Sequence, residues 1–85
     1  MFDFDHLSAF LREVRKERHL SIGKASAIVG ITEDALGKFE RGECHIKLEN
    51  IMKLLDAYEL PVSILNEFYV RSERMQVEMD ILRKR

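Results

Sequence analysis

Residues 20–42, LSIGKASAIVGITEDALGKFERG, hold two short apolar-periodic stretches with a glycine between them, and that spacing leaves the chain few ways to fold. Ser21 can accept bonds from the free amides that open a helix, and Ala25 and Val29 then fall four apart on one apolar side. Gly30 supplies the stop and Ile31 an apolar plug. Thr32 is a second cap, for a helix running through Ala35, Leu36 and Phe39. Gly42 then ends it. A turn this short forces the two helices to cross steeply, so the outer face of the second projects from the domain. Glu33, Asp34, Gly37, Lys38 and Arg41 are expected on that face.

The other apolar patterns also repeat at about 3.6 residues, and none alternates as a strand would. A first helix is expected over residues 4–18, with Asp3 or Asp5 near its cap and Leu7, Phe10, Leu11 and Val14 forming its inward stripe. GECHIK reads as a loop. Leu48, Ile51, Met52, Leu54, Leu55 and Tyr58 mark a fourth helix that stops before Pro61, because proline disfavours helical geometry at Leu60. Ser63 is expected to cap a fifth, with Ile64 and Leu65 returning apolar surface to the core. The fold expected is all-α and one domain overall, with a core over residues 1–62 and a fifth helix with its extension over residues 63–85.

That last segment contains no Gly or Pro. Leu65, Phe68, Ser72, Met75, Met79 and Leu82 are separated by three, four, three, four and three residues, the a/d seam of a heptad repeat. Such a seam seeks a partner, and a homodimer is expected through these six residues. The alternative is that it folds back over the domain's own core.

At 85 residues and 46% hydrophobic content the chain can build one compact core and no second domain. Its one cysteine, Cys44, cannot form an internal disulfide, and the acidic N-terminus MFDFDHLSAF lacks the basic region of a signal peptide. No apolar run approaches the length of a membrane span, so a cytoplasmic setting without membrane contact is expected. Soft ligands are few: His6, His19, Cys44 and His45 lack zinc-site spacing, and His19 at a helix end suits a capping role. No phosphate-cradling glycine loop and no nucleophile-base pairing can be recognised. Neither a cofactor nor an enzymatic activity is expected.

Two short helices with a projecting polar face suit the major groove of duplex DNA. The net charge of −1 argues against a strong grip on phosphates. Local charge argues for it, because Arg12, Arg15, Lys16, Arg18, Lys24, Lys38, Arg41 and Lys47 all lie between residues 12 and 47. Ser21, Lys24, Lys38, Arg41 and Lys47 are the candidate phosphate contacts, with Thr32, Glu33, Asp34 and Gly37 facing base edges.

The order LREVR, LS, G-I-T, KFERGE and LPVS resembles the Cro/repressor-type helix-turn-helix of the Xre family over residues 7–68. FERGE followed by LLDAYEL is most similar to the DNA-binding head of Rgg-type, peptide-responsive regulators, whose large sensor domain has no counterpart in these 85 residues. The chain is then either a stand-alone small regulator or an excised head. The resemblance implies a five-helix, lambda-repressor-like bundle with an extended C-terminal helix, acting on double-stranded DNA. It also implies an ion pair between Arg15 and Glu40, which reads as structural because the carboxylate follows the core residue Phe39.

Two departures from the family pattern bear on function. Ile22 stands where a phosphate-touching glutamine is usual, and Glu33 and Asp34 follow Thr32 where base-reading polar residues are usual. Acidic residues in a first turn complement the helix dipole by about 0.3–1 kcal/mol, and either could instead accept from cytosine N4. A second class therefore stays open: an antitoxin- or antirepressor-like module that binds a regulatory protein or peptide and has given up DNA.

Overall fold

The computed structural model describes residues 1–69 as four α-helices and a closing 3-10 helix. In chain order these are α1 (Phe4–Glu17), α2 (Ile22–Val29), α3 (Glu33–Glu40), α4 (Leu48–Ala57) and the 3-10 helix Val62–Phe68. No strand occurs among the described residues, where the β-type pairing is an isolated bridge between Phe2 and Tyr69. No described helix is long and apolar enough to cross a membrane. The all-α, five-helix architecture expected from periodicity is what the chain forms.

Side chains start the first three helices. Asp3 accepts from the His6 amide at 3.1 Å, Ser21 from Lys24 at 3.1 Å and Thr32 from Ala35 at 3.0 Å. The His6 bonds, backbone first and then ring, hold the Asp3 carboxyl below its usual range. Left-handed residues end all four α-helices, with Gly30 closing α2. His19 (φ 56°), Gly42 (φ 76°) and Glu59 (φ 59°) each let the next amide reach back five residues, from Leu20 to Arg15, Glu43 to Lys38 and Leu60 to Leu55. These are Schellman closures, which satisfy carbonyls that would otherwise be left open. The turn at Glu59 ends α4 at Ala57, before Pro61 as expected. One expectation changes: Ser63 lies inside the 3-10 helix, whose cap position is Pro61.

The core draws on every α-helix. Leu7, Leu11 and Val14 of α1 meet Ala25 and Val29 of α2, Leu36 and Phe39 of α3, and Ile51, Leu54, Leu55 and Tyr58 at α4. Each large apolar side chain so buried contributes roughly 1.5–3 kcal/mol, far more than any one cap. Helix α2 packs on α3 and α4, while α1 packs on α3 and the 3-10 helix. Helix α3 is thereby held from behind by two neighbours.

The fifth helix differs from expectation in type and in where it ends. Up to Phe68 it is 3-10 rather than α, and Tyr69 is extended at φ −91° and ψ 112°. The N-terminal segment lies against this end: the Asp3 amide donates to the Phe68 carbonyl at 2.7 Å, and Phe2 pairs with Tyr69. Leu65 and Phe68 are partly buried against the core, with the Phe68 ring 5.3 Å from Phe10. Ser72, Met75, Met79 and Leu82 lie outside the described residues.

Two outcomes follow for stability. A side chain in the left-handed region costs about 1–2 kcal/mol, so Glu59→Gly should raise the thermal midpoint by several degrees, read by circular dichroism. The Tyr58 hydroxyl is buried with no hydrogen-bond partner among the described residues. Burial first, then the Glu40 charge, push its pKa from 10 up to about 12, with Arg15 opposing. The unfolded chain releases this proton near pH 10 and the folded one only near 12. Stability should therefore fall across that window, and Tyr58→Phe should lose this dependence without loss of stability at neutral pH.

Candidate nucleic-acid interface

The second and third helices are joined through Gly30 (φ 85°), Ile31 and Thr32 and pack on each other, as foreseen from residues 20–42. What fixes α3 is an ion pair beneath it. Arg15 Nε donates to Glu40 Oε2 at 2.8 Å and Nη2 to Oε1 at 3.1 Å, while Nη1 donates to the Leu20 carbonyl at 2.8 Å. The Glu40 side chain is 5% exposed and that of Arg15 12%, so the contact is largely out of water. Glu40's hydrogen bonds raise the guanidinium's pKa against the opposing effect of burial. One side chain of α1 thus holds the end of α3 and the connection leading into α2.

On the outside, Ser21, Lys24, Thr32, Glu33, Asp34, Arg41 and Lys47 are all exposed, and Lys38 is partly so. The hydroxyls of Ser21 and Thr32 already cap their helices. Lys38 Nζ lies 3.2 Å from Asp34 Oδ2 one turn earlier, a contact that raises the lysine pKa first through its hydrogen bond and then through its charge. Arg41 Nε pairs with Glu43, a partner the sequence pattern did not single out. Lys24 and Lys47 have no ion-pair partner among the described residues.

Gly37 is not on the outer face. It is buried, and a Cβ there would meet the Arg41 guanidinium at 3.1 Å and the Ile22 Cδ1 at 3.5 Å. The expectation that Gly37 faces base edges is corrected: it lies at the crossing of α2 and α3. Ile22, standing in the glutamine position, is partly buried and packs against the core there. A Cβ at 37 would rest in ordinary contact with the isoleucine and press more closely on the Arg41 guanidinium. Glu33 bends back toward α2 so closely that a Cβ on Gly23 would lie 2.5 Å from its Oε1. In this position it extends over the start of α2 rather than straight outward.

Among the described residues no three metal-ligand side chains converge. Cys44 is exposed, and His45 stacks on Phe4 with ring centroids 4.2 Å apart.

A projecting helix braced from behind, preceded by a capped helix across a three-residue turn, defines a helix-turn-helix fold. The model of the HTH_3 helix-turn-helix family matches residues 11–65. The chain belongs to that family, the Xre-type helix-turn-helix, and is a DNA-binding transcription regulator. The restriction-modification controller protein C.AhdI from Aeromonas hydrophila is similar at 30% identity and TM-score 0.67, over 74% of this chain and 96% of that one. The clp gene regulator ClgR from Corynebacterium glutamicum shares the fold at 18% identity and TM-score 0.72, over 99% of this chain and 89% of that one. No curated protein matches this chain.

Arg15→Ala and Glu40→Ala should each lower stability by on the order of 3 kcal/mol, because each strands a charged partner away from water. The double change should cost less than their sum, in a cycle measured by chemical denaturation.

Proposed function

We propose that this chain is a sequence-specific regulator that binds duplex DNA as a homodimer, with α3 in the major groove. The observation that carries this reading is the brace behind α3: the Arg15–Glu40 pair orients a helix whose first turn, with Thr32, Glu33 and Asp34, is exposed. Lys24 at α2 and Lys47 at the start of α4 supply phosphate contacts on either side, with Ser21, Lys38 and Arg41 between them. Because Lys38 is half-neutralised by Asp34 and Arg41 by Glu43, affinity is modest and rests on few cations. Glu33 swings away from Gly23 on binding and accepts from a cytosine amino group, which gives preference among sequences rather than strength. The likeness to the restriction-modification controller protein C.AhdI supports the regulator reading.

Dimerisation through Leu65, Phe68, Ser72, Met75, Met79 and Leu82 belongs to the same proposal, since two recognition helices about 34 Å apart would meet successive turns of a palindromic site. Regulatory input from a protein or peptide is the further implication of the Rgg-type resemblance carried by FERGE and LLDAYEL. A second reading, a protein-binding module that avoids DNA, is favoured by the same paired charges and by the carboxylates of Glu33 and Asp34.

The direct test is fluorescence anisotropy of the purified chain on random duplex DNA at low salt, followed by a salt titration. Lys24→Gln should weaken all sequences alike and reduce the salt slope by about 0.9, one phosphate's share, whereas Glu33→Gln should change the sequences selected from a random pool. If neutralising Glu33 and Asp34 together creates binding that the natural chain lacks, the second reading takes over. For the dimer, Met75→Glu with Met79→Glu should halve the mass seen by light scattering. A natural chain that is monomeric at high micromolar concentration would overturn that part.

A further inference from the structure

Where α1 begins, a surface cavity of about 460 Å³ is lined, among the described residues, by Met1, Phe2, Asp3, Phe4, Asp5 and His45. Three rings run along its wall in a row. Phe2 lies 4.8 Å from Phe4 at a tilt of 56°, and His45 stacks on Phe4 with centroids 4.2 Å apart and planes at 21°. None of the three is fully buried, so the row stands outside the sealed core. The two carboxylates differ. Both oxygens of Asp3 are taken by His6, one by the backbone amide and one by the ring. Asp5 receives the Ser8 hydroxyl on its backbone carbonyl, while its carboxylate has no partner among the described residues. That carboxylate lies over the bare backbone of Gly42, where a Cβ would stand 3.3 Å from Oδ1.

The helix dipole accounts for an acidic residue in a first turn, but not for a row of rings gathered around it. We propose that this cavity receives the side chain of an arginine residue of a partner polypeptide, its guanidinium plane against the rings and its fork on Asp5. A guanidinium is planar and weakly hydrated, stacks on aromatic faces and offers a carboxylate two parallel N–H bonds. An ammonium group has neither the plane nor the fork. Charge points the same way, since the lining sets two carboxylates against the amino group of Met1 and holds no Lys or Arg side chain among the described residues.

Size and charge narrow the source. The volume falls within the range of about 300–1,000 Å³ typical of sites that enclose a small ligand, so an arginine side chain enters together with part of the backbone that carries it. Free arginine would bring an α-carboxylate to a wall that already holds Asp3 and Asp5; within a polypeptide that charge is absent. Gly42 follows α3, and His45 stands two residues before Lys47, so an occupant touches the connection from α3 to α4 beside a cation assigned above to DNA. Such a partner is the protein or peptide input of the function proposed above, and only its regulatory role rests on that reading.

The test is a titration of the full chain at pH 8 with N-acetyl-arginine amide, following the ring resonances of Phe4 and His45 by NMR. Saturating shifts are expected. N-acetyl-citrulline amide, which keeps the shape without the charge, should bind at least about tenfold more weakly, the share of one charge-assisted contact, and N-acetyl-lysine amide should also bind more weakly. Asp5→Asn should weaken the arginine probe by a similar factor and Asp5→Glu should recover part of the loss, with circular dichroism confirming that both variants are folded. Absence of saturation, equal binding of the citrulline or lysine probe, or an Asp5→Asn chain that binds like the natural one overturns the site. Tighter binding of free arginine than of the capped form overturns the polypeptide source. No DNA enters this experiment, so its failure leaves the DNA-binding proposal standing. A chain that binds the arginine probe but no duplex loses that proposal and keeps the cavity.

Discussion

The bidentate contact between Arg15 and Glu40 is the constraint on which the interface depends. Buried carboxylates are costly unless both oxygens are satisfied, and here each takes one guanidinium N–H while the third nitrogen reaches the Leu20 carbonyl. The arrangement joins the last turn of α1, the entry to α2 and, 25 residues further on, the last residue of α3. A short helix of eight residues has little stability of its own, so its direction is set by what holds its ends. Apolar packing of Leu36 and Phe39 presses α3 onto the core, and the ion pair sets where its end lies.

Helix ends do comparable work at the other joints. Each of the four α-helices closes through a left-handed residue, and α2 and α3 use glycine for it; His19 and Glu59 adopt the conformation with side chains in place. Closure is thus imposed by the packing of the elements on either side: Leu20 and Leu60, the residues after these turns, are partly buried against the core. Burial of the following leucine offsets the backbone cost of the turn. The same reasoning covers the end of the 3-10 helix, where Phe2 pairs with Tyr69 and the Asp3 amide donates to the Phe68 carbonyl.

Charge on the outer surface is arranged for restraint. Asp34 answers Lys38 and Glu43 answers Arg41, so cations that a tally would assign to phosphates are partly engaged within the protein. Such exposed pairs add little to stability, and water and salt compete with them easily. In the DNA-binding mode proposed above their effect is on recognition: a strand would have to displace Asp34 or Glu43 to use the cation fully, which would lower nonspecific affinity more than affinity for a site making additional base contacts. A net charge of −1 in a helix-turn-helix chain is consistent with that balance.

Much of the fold was legible in the chain because its signals are local. Ser21 and Thr32 are caps by chemistry, Gly30 and Gly42 are turns by conformational freedom, and Leu7, Leu11 and Val14 are a stripe by helical period; each needs only a few neighbours to be interpreted. The Arg15–Glu40 pair came from a family resemblance, since nothing in the spacing of residues 25 apart links them. Tertiary structure decided the rest. Gly37 looked like part of an outer face because a helical count places it between Asp34 and Arg41, but the close crossing of α2 buries it beneath Ile22 and Arg41. Heptad spacing extended a helix through residue 69, whereas Tyr69 is extended and the Asp3 amide bonds the Phe68 carbonyl before it. Glu43 claimed Arg41. Sequence determines which helices form and which side of each is apolar, because those are properties of neighbouring residues. Which polar groups meet depends on contacts between segments far apart in the chain, and those exist only once the core has closed.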